Sequence, residues 1–95
     1  MQSSYSNLPD RIRDLNGLGP KSESLLTAIG IHTVKQFMAA DPYQLYAQLK
    51  SIDSASLNFL YAILGARENL SWLEIKNTRK MEILLRLDDM GLAPK

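Results

Sequence analysis

Apolar residues recur along this 95-residue chain at three- and four-residue spacing, and glycine, proline and capping residues interrupt them at intervals. The spacing predicts a first helix over Pro9–Leu15, capped by Ser6 or Asn7, with Ile12 and Leu15 turned inward. A second helix is expected from Pro20 to Ile29, with Leu25, Leu26 and Ile29 on one stripe and Gly30 as its stop. Thr33 and Gln36 have the spacing of a capping box, which opens a third helix with Val34, Phe37 and Met38 buried. Asp41-Pro42 closes that helix and starts the next, aspartate as cap and proline in the first turn. Tyr43, Leu45, Tyr46 and Leu49 follow at helical spacing.

Asp53 or Ser54 is the expected cap of a fifth helix, whose main stripe is Leu57, Leu60, Tyr61 and Leu64. Phe59, Ala62, Ile63 and Ala66 make that helix apolar nearly all round, as suits a helix central in its fold. Ser71 and Glu74 form a second capping-box pattern. Ser71–Lys76 reads as a short turn, and a last helix covers Asn77–Asp89 with Met81, Leu84, Leu85 and Leu87 facing in. Gly91 stops it. No stretch sustains an apolar/polar alternation, so no sheet is expected. The fold class is all-α: a compact bundle of five to six short helices in one domain over residues 1–95. Residues 1–6 read as a disordered tail and 91–95 as a frayed end.

Composition removes several kinds of chemistry. With no cysteine, disulfides and thiolate metal sites are excluded, and a single histidine, His32, argues against a zinc or iron centre. No metal or cofactor is expected. The longest apolar run, Phe59 to Leu64, is far short of the roughly 20 residues that span a bilayer. Residues Met1–Ser6 have neither the basic region nor the apolar core of a signal peptide, and a cytoplasmic location is expected. The net charge is +1 and the pI about 8.0. A domain that grips nucleic acid unaided is usually more basic, with a pI above about 9.

The sharpest local feature is Leu15-Asn16-Gly17-Leu18-Gly19-Pro20-Lys21. It reads as a tight hairpin between two helices. Two glycines bracket one apolar residue, which permits positive φ and a near approach of another backbone or ligand. Free amides then gather at the positive end of the second helix, where an anion such as a phosphate is stabilised. Gly17, Leu18, Gly19 and Lys21 are therefore the candidate DNA-phosphate contacts, and Lys35 could extend the basic surface. Contacts of this kind position a protein on DNA without reading its sequence. The plainer reading is a turn that joins two packed helices, with Leu18 plugging the core and Lys35 an ordinary solvated residue. His32 reads as packing near the start of the third helix.

Asp88 and Asp89 are neighbours on a helix, about 100° apart, and do not converge on one atom. Ser22, Ser24 and Thr27 lack the base and orienting group that a nucleophile needs, so no catalytic residue is expected. Tyr43, Tyr46, Phe59 and Tyr61 fall on faces needed for burial, and Trp72 is the aromatic expected to be partly exposed.

A longer set of blocks carries a resemblance. It comprises Leu15 through Glu23, Ile29-Gly30-Ile31-His32-Thr33-Val34, Leu57 through Ala62, Gly65-Ala66 and Trp72. These resemble the C-terminal domain of the TfoX/Sxy family of bacterial competence regulators over roughly Leu8 to Leu85. The resemblance implies an all-helical domain with an N-terminal helix–hairpin–helix and a link to natural transformation. It also implies a role beside a transcription factor, since members are similar to coactivators of the cyclic-AMP receptor protein. Full-length members carry a separate N-terminal domain. With Met1 so near the match, the chain is expected to be a stand-alone C-terminal-type protein or a fragment. Two functions follow as expectations. One is a non-enzymatic regulatory module that touches duplex DNA weakly through its hairpin, beside a transcription factor or a separate TfoX N-terminal-type protein. The other is a protein–protein docking module with no nucleic-acid role.

Overall fold

A computed structural model describes residues 9–52 and 56–93. Within them the chain forms a 3-10 turn at Ile12–Asp14 and then five α-helices: α1 Pro20–Ala28, α2 Val34–Ala39, α3 Pro42–Ile52, α4 Leu57–Glu68 and α5 Trp72–Asp89. No strand occurs among the described residues. The all-helical class read from the sequence is what the structure shows.

The helix ends follow the local chemistry. Proline stands in the first turn of α1. Thr33 and Gln36 form a complete capping box at α2: the Thr33 hydroxyl accepts from the Gln36 amide at 3.0 Å, and Gln36 Oε1 accepts from the Thr33 amide at 3.2 Å. Asp41 Oδ1 accepts the Tyr43 amide at 2.9 Å and so opens α3. The expected caps Asp53 and Ser54 lie outside the described residues, and the Ser56 hydroxyl accepts the Phe59 amide and caps α4. The Ser6 and Asn7 caps and the tail also lie outside them.

Three expectations are corrected. The arm before the hairpin is one 3-10 turn, not a helix over Pro9–Leu15. Between Pro9 and Gly17 there is too little chain to repay the cost of nucleating an α-helix. Second, Ser71–Lys76 is no separate turn. It is the start of α5, which runs unbroken for 18 residues, with Ser71 accepting the Glu74 amide at 3.1 Å. Third, the rotation of α5 differs from the expected one. Ile75, Ile83 and Leu87 are buried, whereas Met81 and Leu85 point to solvent and Leu84 is half-buried.

The core has two clusters joined through α3 and α4. Ile12, Leu15, Leu26, Val34, Phe37, Leu45, Leu49, Ile63 and Ala66 form the first. Tyr43, Tyr46, Leu60, Tyr61, Leu64, Ile75, Ile83 and Leu87 form the second. α3 sends Leu45 and Leu49 to one side and Tyr43 and Tyr46 to the other, and α4 divides its residues likewise. This is why α4 is apolar nearly all round: it has a core on two faces. α5 packs chiefly on α4, and α1 on the 3-10 turn and α3. At the α4–α5 turn the chain reverses so tightly that a Cβ at Gly65 would run into the Leu70 carbonyl oxygen. Arg67 ties the layers together. Its Nη1 donates to the carbonyls of Phe37, Met38 and Ala40 at 3.2, 3.0 and 2.7 Å, which satisfies the open end of α2.

Candidate functional site

The Gly17–Lys21 hairpin is built from a turn, a helix start and an ionic clamp. The Leu18 amide donates to the Leu15 carbonyl at 3.0 Å, and Gly17 sits at φ +84°. That is the third position of a β-turn, where a positive φ calls for glycine. Leu18 then packs, half-buried, against the first core cluster. Its side chain and its amide are both committed inside the molecule, in keeping with the plug role.

The neighbouring amides are not committed. Those of Gly17, Gly19, Lys21 and Ser22 have no hydrogen-bond partner among the described residues. Gly19 is the N-cap of α1 and offers no side chain, so nothing of its own covers the first-turn donors. Lys21 is exposed beside them. The conformation of Gly19 is equally informative. Its φ of −151° is extended backbone open to any residue. A Cβ placed there would meet no atom within 4 Å. Among the described residues neither the turn nor the packing requires glycine at position 19, and the space in front of it is open.

Glu23, in the first turn of α1, fastens the hairpin's incoming arm. Its carboxylate accepts from Arg13 Nε at 3.1 Å, from Arg13 Nη2 at 2.9 Å and from Arg11 Nη2 at 2.8 Å. The Arg13 backbone amide adds a fourth bond at 3.3 Å. The Arg13 guanidinium, helped by that amide and by Arg11, outweighs burial and holds the Glu23 carboxyl down at about 2, from an ordinary 4.5. The geometry that a first helix was expected to supply is thus supplied by an ion triad. In the sequence Arg11 and Arg13 register only within the net charge of +1. The usable signal was an Arg-x-Arg pair facing an acidic residue in the first turn of a helix.

The Lys35 side chain stands exposed on α2 with no hydrogen bond or ion pair among the described residues, and nothing there ties it to the hairpin. His32 is exposed as well, and its backbone amide donates to Gln36 Oε1 at 2.7 Å. A groove of about 380 Å³ lies beside the hairpin, lined among others by Asn16, Arg67 and Asn69. The Nη1 of Arg67 is engaged there by the α2 carbonyls. Among the described residues no three His, Cys, Asp or Glu side chains gather as a metal would need. No helix there is long and apolar enough to cross a membrane. Of the aromatic residues, Tyr43, Tyr46 and Tyr61 are buried in the core and Trp72 is 40% exposed.

The described residues make an all-helical domain with a packed core and a glycine hairpin at its edge. The TfoX C-terminal domain model matches residues 8–87, and the chain belongs to that family. The family is of the regulatory type and is not a known enzyme family. No curated protein and no solved structure matches the chain.

Proposed function

We propose that this domain is a non-enzymatic regulatory module of the competence type, working in the cytoplasm. In this reading it touches DNA backbone phosphates through the Gly17–Lys21 hairpin, weakly and without reading sequence. A protein partner, either a transcription factor or a separate TfoX N-terminal-type protein, keeps it at the promoter. One observation carries the reading. Gly19 is an N-cap glycine that neither its φ nor packing among the described residues requires, set in front of first-turn amides without partners there and an exposed lysine. A phosphate oxygen takes the place that a Cβ would obstruct, and the amides and Lys21 supply the donors. The near-neutral charge of +1 accounts for the weakness and for the need of a partner.

The test is a titration of duplex DNA at low salt with wild type, Gly19→Ala and Lys21→Gln. Gly19→Ala is expected to melt with the wild type yet bind severalfold more weakly. Lys21→Gln is expected to weaken binding and to reduce the salt slope by about one phosphate contact. Equal binding by all three proteins removes the hairpin from the mechanism.

A further inference from the structure

We propose that the outer face of α5 is a docking surface for a cationic amphipathic helix of another protein. The rotation of α5 leaves an apolar stripe without a partner. Leu73, Met81 and Leu85 are 49%, 72% and 61% exposed, and Leu84 joins them half-buried. Isolated exposed leucines are ordinary, but Met81, Leu84 and Leu85, at i, i+3 and i+4, make one continuous surface, and Leu73 lies about two turns before it.

The charges around this stripe select its occupant. Glu74, Met81 and Asp88 are spaced by seven residues and fall on one line along the helix. The two carboxylates stand about 21 Å apart, one beyond each end of the Met81–Leu85 patch. Neither has a hydrogen bond or ion pair among the described residues, and Asp89 is likewise unpaired. Glu82 is held by Arg79 at 3.1 Å; on the other side Lys80, four residues before Leu84, borders the patch and Lys76 lies beyond it.

A second copy of the chain does not fit. Parallel α5 helices would set Glu74 on Glu74 and Asp88 on Asp88, and antiparallel helices centred on Met81 would set Glu74 on Asp88. Like charges meet in both arrangements. DNA and anionic bilayers are repelled by the same carboxylates. The fitting partner is a helix with apolar residues at its centre and Lys or Arg near both ends. Such a helix covers the stripe and neutralises both acids.

The inference does not depend on the hairpin meeting DNA. The test uses the full chain and a labelled 18-residue synthetic Leu/Lys helix with lysines at both ends. Its control is the same peptide with glutamate for lysine. Fluorescence anisotropy reads affinity and backbone amide shifts read location. The lysine peptide is expected to bind, with shifts on the outer side of Leu73–Asp88, and the glutamate peptide is not. Met81→Ser with Leu85→Ser weakens binding about tenfold or more, through lost apolar burial. Glu74→Gln with Asp88→Asn weakens it about two- to fivefold. All four positions are solvent-facing, so the melting curves check that the fold is intact, and Gly19→Ala leaves peptide binding unchanged. Equal binding of both peptides overturns the proposal, as do shifts centred on the hairpin. So does a concentration-dependent dimer, or binding to phosphatidylglycerol vesicles, that Met81→Ser abolishes.

Discussion

Two tight bends in this molecule each depend on glycine, and they use it in opposite ways. At the α4–α5 turn the space that a Cβ would take at Gly65 is occupied by the Leu70 carbonyl. The glycine is there for the fold's own backbone. At the hairpin, Gly17 answers to a positive φ, while Gly19, the N-cap of α1, is required neither by its φ nor by packing among the described residues. A glycine filled from within reports packing. A glycine with open space before it, beside amides that have no partner among the described residues, is not explained by packing.

The largest expected effect breaks the inner bend. Gly65→Ala forces Cβ into backbone, which cannot swing aside as a side-chain end can. Overpacking costs about 1–3 kcal/mol or more, and the better helix propensity of alanine returns only about 1 kcal/mol. A net loss of about 2 kcal/mol lowers the melting temperature of a domain this size by roughly 10 °C. A thermal melt equal to wild type would mean that the turn can relax and that the contrast between the bends is false. Gly17→Ala comes next. A non-glycine residue at φ +84° costs about 1–2 kcal/mol, with no clash to add. Urea unfolding should rank the three substitutions Gly65, Gly17, Gly19, the last with no measurable loss.

The ion triad on the hairpin arm gives a pH-dependent handle. The folded Glu23 carboxyl, at about 2, lies below its ordinary 4.5, so the unfolded chain takes up the proton first on acidification. The contribution of Glu23 is complete above about pH 4.5 and fades as pH falls toward 2. Glu23→Gln should therefore narrow the gap between stabilities measured at pH 5 and at pH 2.5. An unchanged gap would show that the clamp does not hold the arm. The smallest effect has the opposite sign. The hydroxyl of Tyr61, on α4, is buried with no hydrogen-bond partner among the described residues, and burial pushes its pKa up. Tyr61→Phe removes a desolvated polar group and should be neutral or stabilising by up to about 1 kcal/mol in urea unfolding. A clear destabilisation would reveal a partner for that hydroxyl.

Much of the fold was legible because its signals are local. The Thr33–Gln36 box, Pro20, the Asp41–Pro42 junction and the Gly30 stop each act within a few residues, and each appears where the spacing places it. α4 was readable as the central helix because a helix buried on two faces must be apolar on both. The clamp on the hairpin was not legible. Arg11, Arg13 and Glu23 are 10 to 12 residues apart, and no periodicity links them. Nor was the role of Arg67, whose carbonyl partners lie 27 to 30 residues back in the chain.

α5 marks the boundary most clearly. Its residues make it a helix, and they supply two apolar stripes, Ile75–Ile83–Leu87 and Leu73–Met81–Leu85, that are equally plausible as inward faces. Intrinsic propensity and periodicity cannot rank them, because each stripe gains the same burial energy if covered. The choice is made by the closed turn at Gly65–Leu70, which fixes how α5 leaves α4 and so which stripe meets Tyr43, Leu60 and Leu64. The sequence by itself determined that the chain is helical, where most helices begin and end, and that a glycine hairpin sits near its start. Only the tertiary structure decided which amides stay open and which side of the last helix faces the solvent. Both depend on contacts between segments that the order of residues does not bring together.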